Sequence, residues 1–128
     1  MEIGVLGATG PAGRGIAARL ADAGHAVLAG SRDRARAAGV VEELQAKWGD
    51  RLASLYPATN VEAAAAPDLV VVATNWEAAL ETTQAHADLL AGKVVIAMAN
   101  GLRKVGREFR VVMPPEGSLA AAMQAAAP

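Results

Sequence analysis

Cysteine is absent from this 128-residue chain. That removes disulfide frameworks, thiolate nucleophiles and Cys-ligated metals together. Aromatic residues are only 3% of the sequence, which argues against an aromatic-rich all-β domain and against a stacking surface for nucleic-acid bases. Neither sign of charge dominates: 12 Lys+Arg face 13 Asp+Glu, for a net charge of −1. No electrostatic field is left to recruit DNA, RNA or anionic lipid. The longest apolar runs, Leu69–Ala73 and Val94–Ala99, are strand-length and too short to cross a bilayer. Met1 leads straight into an apolar run, without the basic and long apolar stretches of a signal peptide. The expectation is one cytoplasmic domain over residues 1–128, with no nucleic-acid or membrane partner.

Hydrophobic residues make up 53% of the chain, and Ala supplies a large share of them. A core of Ala, Val, Leu and Ile suits helices packed closely on a sheet. Glu2–Leu6 is a short apolar run that predicts a buried strand, followed by a glycine-rich turn and a helix over Arg14–Ala23. Gly24 is placed to close that helix. His25–Gly30 predicts a second strand and a second helix runs to Trp48, with Gly49 after it. Leu52–Tyr56 predicts a third strand, ended by Pro57, and Asn60–Ala66 a short helix. Leu69–Ala73 and Val94–Ala99 lack alternation, the mark of parallel strands covered on both faces. Between them a helix over Trp76–Leu90 is capped by Asn75 and closed by Gly92. Asn100–Pro115 reads as irregular and partly basic, with a strand at Phe109–Met113. Ser118 then caps a final Ala-rich helix to Ala127.

Strands alternating with helices imply βαβ units with right-handed crossovers. The fold class is α/β: a Rossmann-like, doubly wound, mostly parallel sheet with helices on both faces. Complete sheets of this class run to about six strands. Only about five are expected here, so the domain reads as incomplete at its C-terminus.

The strongest chemical signal is strand, then G-x-x-G-x-x-G, then helix, in Gly7-Ala8-Thr9-Gly10-Pro11-Ala12-Gly13. Such glycines permit a tight turn and let the backbone approach a pyrophosphate, while the helix N-terminus offers free N–H groups and a partial positive charge. Gly13 lets the helix sit close against the first strand. Pro11 donates nothing and preforms the first helical turn. The amides expected for an anion are those of Thr9, Gly10, Ala12 and Gly13. Gly10 is expected at positive φ, so that Val there blocks the ligand and strains the turn. Ala8 departs from the dinucleotide fingerprint, which has Gly at that place. The bland alternative is a structural turn without a ligand; its place at the first strand–helix junction argues for the phosphate reading.

NAD-preferring sheets end the second strand with Asp or Glu, for the ribose 2′-hydroxyl. Here Ser31-Arg32 stand there, with Arg34 and Arg36 beyond. A carboxylate repels a 2′-phosphate; a hydroxyl and guanidinium groups hold it. The cofactor expected is NADP(H). Asp33 reads as a helix cap. The competing view makes the arginines a solvated helix face. At the carboxyl end of the fourth strand, Thr74 and Asn75 stand where α/β sheets bind ligands, and Asn100 ends the fifth strand on the same edge, within reach of a nicotinamide or ribose. Trp76 and Glu77 read as packing and helix-start residues, and the basic residues Arg103, Lys104, Arg107 and Arg110 as surface. His25 and His86 have no carboxylate or nucleophile beside them in sequence, and no acid/base pair of carboxylates is recognisable.

VLGATGPAGRGIAARLADAGHAVLAGSR, then Arg36, LVVVATNWEAAL and KVVIAMANGLRKVGREF together resemble the NADPH-dependent reductases of the deazaflavin coenzyme F420. The likeness runs over nearly the whole chain and is closest to the actinobacterial type. It implies a Rossmann domain that moves hydride between NADP(H) and coenzyme F420 as a small-molecule redox co-substrate, without a catalytic acid, base or metal. It also implies Thr9, Gly10, Pro11 and Ala12 around the pyrophosphate, where the glycine motif itself adds Gly7 and Gly13 to the expected cofactor-binding residues, and Ser31, Arg32 and Arg36 on the 2′-phosphate. Thr74 and Asn100 then fall near the nicotinamide. Arg36 stands where many members have Lys, and Asn75 replaces the usual Pro before Trp76. The portion that helps form the deazaflavin site is expected to be missing, and a homo-oligomer stays open as a source of it.

Two other classes stay open. An NADP-sensing module of the atypical short-chain-reductase kind also opens with GATGPAG. A catalytic short-chain reductase needs Tyr with Lys four residues on, and Tyr56 has Asn60 there. A nucleotide-binding regulatory module of a channel usually has an acidic residue where Ser31-Arg32 stand.

Overall fold

The computed structural model describes residues 1–128. Five parallel strands form one sheet: β1 (Glu2–Leu6), β2 (Ala26–Ser31), β3 (Leu55–Thr59), β4 (Leu69–Val72) and β5 (Val95–Ala97), in the order β3-β2-β1-β4-β5. The first helix, α1 (Pro11–Asp22), crosses from β1 to β2, and α2 (Arg34–Trp48) from β2 to β3. They cover one face, where Ala17, Ala21 and Val41 pack on Ile3, Val5, Val27 and Val71. On the other face lie α3 (Asn60–Ala64), α4 (Trp76–Ala85), α5 (Ala87–Leu90) and α6 (Leu119–Ala126). There Ala63, Ala79, Leu90 and Met123 pack on Leu6, Val70 and Val72. The order reverses beside β1, the crevice at which such sheets bind ligands. No helix is long and apolar enough to cross a membrane.

Small residues set the depth of this packing. A Cβ on Gly4 would lie 1.7 Å from the carbonyl oxygen of Ala63, so α3 rests directly on the backbone of β1. That contact brings the β3–α3 turn against the end of β1, where the site lies.

The expected caps form: Asp33, Asn75 and Ser118 accept from the amides of Ala35, Ala78 and Ala121. Gly24 and Gly92 take positive φ after their helices. Several expectations fail for physical reasons. The third strand lies at Leu55–Thr59, three residues later than expected, and Pro57 sits inside it opposite Ala29. A missing N–H is tolerated because β3 is an edge strand with one neighbour. The single helix expected over Trp76–Leu90 breaks at His86 into α4 and α5. The strand expected at Phe109–Met113 forms as β7 (Glu108–Val111), but the residues before it are not irregular: they supply β6 (Leu102–Val105), its antiparallel partner, with the turn at Gly106, φ 62°.

The fifth strand departs most. It is not covered on both faces: Val95 and Ala97 pack against the core, while Val94, Ile96 and Met98 are 65%, 44% and 38% exposed. Beyond β4, nothing in the chain covers the α1 side of the sheet. Most of the exposed large apolar side chains fall between Val94 and Met113, on β5 and the hairpin.

Candidate functional site

The carboxyl ends of β1, β2 and β4 open into a groove of about 870 Å³. Its floor is the glycine loop, with Gly7, Thr9, Gly10, Pro11 and Ala12. Ser31, Arg32 and Arg36 line one end, Ala73, Thr74 and Asn75 the β4 side, and Asn60 stands between them. One face of α4, from Ala78 to His86, continues the wall.

The loop is held mainly by its own backbone. Gly7 turns the chain out of β1 at φ 76°, a conformation that side chains resist. The amide of Ala8 donates to the carbonyl of Gly30 at 2.9 Å, and that of Gly10 to the carbonyl of Gly7 at 3.2 Å. Gly10 is therefore not one of the free amides; its N–H closes the turn. Its φ of −77° also overturns the expected positive φ, and a Cβ there would meet only the Gly7 oxygen, at 3.6 Å. The amides of Thr9, Ala12 and Gly13 donate to no protein acceptor. With Pro11 at the first helical position, α1 begins three residues earlier than expected and aims its N-terminus at the groove. Gly13 itself is buried behind the loop.

Ser31 ends β2 and is 5% exposed, its hydroxyl accepting from the amide of Asp33 at 3.4 Å. Arg32 and Arg36 are exposed and outside any ion pair, so their guanidinium groups are available to the groove. Arg34 is not: it pairs with Glu62 and stays outside the lining. Glu62 accepts from the amide of Thr59 at 2.8 Å, and the Thr59 hydroxyl accepts from the amide of Glu62 at 3.2 Å. This capping box closes the start of α3. The Thr59 amide above all, with Arg34 adding to it, holds the Glu62 carboxyl below the ordinary carboxylate range.

Thr74 stands beside Gly7 at the end of β4, and its hydroxyl donates to the carbonyl of Asn75 at 3.1 Å. Asn100, the last expected site residue, is exposed beyond β5 and is not part of the groove wall. Trp76 is half-buried, with the guanidinium of Arg103 5.9 Å from its ring centre. Arg103 thus ties the hairpin to the start of α4.

Two parts of the wall escaped the sequence reading. The α4 face with Ala78, Thr82 and His86 follows helical spacing, a signal present but unused. His86 reaches back through Nδ1 to the carbonyl of Thr82 at 2.8 Å. Asn60 in sequence signals only a helix start, yet its Oδ1 accepts from the amide of Gly7 at 3.2 Å.

A second groove, about 480 Å³, runs between α1 and α2 beside Trp48. Two of its arginines are taken up in ion pairs, Arg14 with Glu43 and Arg51 with Asp22. It lacks the converging free amides of the first groove.

A protein-family model described as NADP oxidoreductase, coenzyme F420-dependent, matches residues 2–101, from β1 past β5. The chain belongs to this family. The F420-dependent NADP reductase of Methanothermobacter thermautotrophicus is 38% identical over 96 residues, covering 75% of this chain and 41% of that protein. The one from Methanocaldococcus jannaschii is 31% identical over 129 residues, covering 97% of this chain and 57% of its own length. A crystal structure from Arthrobacter sp. FB24, described as a candidate F420-dependent NADP-reductase, superposes with a TM-score of 0.78 at 32% identity. That match covers 98% of this chain and 57% of the other. The chain therefore spans about half the length of the curated relatives it matches.

Proposed function

We propose that the groove binds NADP(H) and that the chain forms the nicotinamide-cofactor half of a reductase passing hydride between NADP(H) and coenzyme F420. The carrying observation is that the free amides of Thr9 and Ala12 share one groove with Ser31, Arg32 and Arg36. The donors fit the cofactor. A pyrophosphate needs backbone N–H groups at a helix N-terminus, and a 2′-phosphate needs cations; the one carboxylate of the lining, Glu81, belongs to α4 and not to the β2 end that carries Ser31 and Arg32.

In this reading Thr9, Ala12 and the helix behind them hold the pyrophosphate, with Gly13 allowing the close approach. Ser31 and the two free guanidinium groups hold the 2′-phosphate. The nicotinamide lies toward Thr74 at the end of β4, with Asn100 on the same edge. The nicotinamide ring supplies the hydride chemistry when bound; the chain orients it and excludes water from one side. The partner is a small redox molecule, and the relatives' names supply its identity as the deazaflavin coenzyme. A cytoplasmic setting suits such soluble redox carriers.

Calorimetric titration of NADPH and NADH tests the reading. NADPH is expected to bind at least about tenfold more tightly, since each guanidinium–phosphate contact contributes ~1.5–3 kcal/mol. Arg32→Ala removes most of that preference. Equal affinity of the wild type for the two cofactors overturns it.

A further inference from the structure

We infer that Asn60 is a positioning residue of the phosphate cradle, holding the glycine loop from the neighbouring β3–α3 turn. The inference rests on the reading of the groove as an NADP site. Gly7 is the first residue past β1, and its orientation sets the path of the whole loop. Its carbonyl accepts from Gly10, whose own carbonyl accepts from the amide of Arg14 at 2.9 Å. Its N–H points the other way and donates to Asn60 Oδ1, across 53 residues of sequence. The chain of bonds runs Asn60, Gly7, Gly10, Arg14. The free amides of Thr9 and Ala12 lie between its links, so fixing the Leu6–Gly7 peptide at the start of the loop steadies their direction.

Asn60 is in turn fixed from below. It is the first residue of α3, closed by the Thr59–Glu62 capping box. The close approach of α3 to β1 keeps the turn at sheet level. A Cβ on Gly30 would come within 3.0 Å of Asn60 Oδ1 and 2.8 Å of the Ala63 methyl, so glycine there leaves room for the amide. The residue type also fits. An Asp would accept equally well from Gly7 but would set a negative charge beside the pyrophosphate; the neutral amide accepts without it. The Nδ2 of Asn60 donates to no protein group, which leaves it available on the groove side.

The test uses the full chain and two kinds of readout. In the cofactor-free protein, amide exchange followed by NMR should show Gly7 protected. Asn60→Ala should raise exchange at Gly7 roughly tenfold while Ala8, bonded to Gly30, stays protected; Asn60→Asp should keep Gly7 protected. In titrations, Asn60→Ala should weaken NADPH and inorganic pyrophosphate by about three- to tenfold, and leave adenosine 2′-monophosphate unchanged. Asn60→Asp should bind pyrophosphate more weakly than wild type despite the retained hydrogen bond. Unchanged Gly7 exchange in Asn60→Ala overturns the positioning role. So does equal weakening of NADPH and adenosine 2′-monophosphate, which marks a merely structural change. Failure of the wild type to bind NADPH overturns the cofactor reading and the role built on it, even with Gly7 protected.

Discussion

A Cβ on Gly13 would stand 2.1 Å from the carbonyl oxygen of Gly7, so α1 meets the loop that precedes it backbone to backbone. That contact links a packing requirement to a binding one. The same approach that seats the helix on the sheet brings its unpaired N-terminal amides to the rim of the groove. The two glycines differ from Gly10, which closes the turn with ordinary φ and leaves a Cβ no more than van der Waals contact with the Gly7 oxygen.

Gly13→Ala is therefore expected to destabilise the fold by ~1–3 kcal/mol, the usual cost of forcing atoms into a filled site. Gly10→Ala should unfold at nearly the wild-type urea concentration. Urea unfolding followed by circular dichroism compares them. Equal stability of the two variants removes the distinction between a packing glycine and a turn glycine.

The arginines after β2 also divide. Arg34 is held by Glu62 in a surface pair outside the groove lining, and solvent screening keeps such pairs weak. Arg34→Ala should change NADPH affinity by no more than about twofold. Arg36→Ala should weaken it about ten- to a hundred-fold and leave NADH nearly unaffected. A larger loss from Arg34 than from Arg36 would move the 2′-phosphate to Arg34 and overturn this division.

Glu62 predicts an acid-side dependence of stability. Its folded pKa is lowered first by the Thr59 amide and further by Arg34, so the unfolded chain takes up the proton at higher pH than the folded one. The resulting stability is fully present above the ordinary Glu value of about 4.3 and is lost as pH falls through the lower folded value. Glu62→Gln keeps a capping-box side chain and removes the titration. The wild-type advantage in urea midpoint over Glu62→Gln should shrink between roughly pH 6 and pH 3. A constant difference across that range argues against the depressed carboxyl.

Much of this was legible in the sequence because it rests on local rules. The apolar run before Gly7, Pro11 at a helix start, and the caps Asp33, Asn75 and Ser118 each act within a few residues. The third strand slipped because Pro57 reads as a breaker, and only the sheet order shows it on an edge where its missing N–H costs nothing. The residues of β5 signal a covered strand because consecutive apolar residues imply two buried faces. Whether the covering element lies in the same stretch of chain is not written in the strand itself. Asn60 was missed as a site residue for a related reason: a hydrogen bond to Gly7 across 53 residues leaves no local pattern.

The bare face of β5 bears on turnover by the 128-residue chain alone. Hydride transfer needs the two rings held ~3–3.5 Å apart, and the rate gained from such placement collapses with small displacements. On the proposed reading, the groove, which Thr74 lines, offers one wall for the nicotinamide end. On the neighbouring edge, Val94, Ile96 and Met98 stand exposed and the hairpin beyond carries exposed Phe109 and Val111. Nothing presses a second ring against the first. The chain alone is expected to bind NADPH yet reduce coenzyme F420 far more slowly than a full-length relative, read as loss of deazaflavin absorbance on adding NADPH. Size-exclusion chromatography at the assay concentration separates a monomer from an oligomer in which a second copy covers the face. If only an oligomer turns over, the rate should rise with protein concentration faster than linearly. Rapid turnover by a monomer would show that the open edge is already competent, and the groove as it stands would then hold both rings.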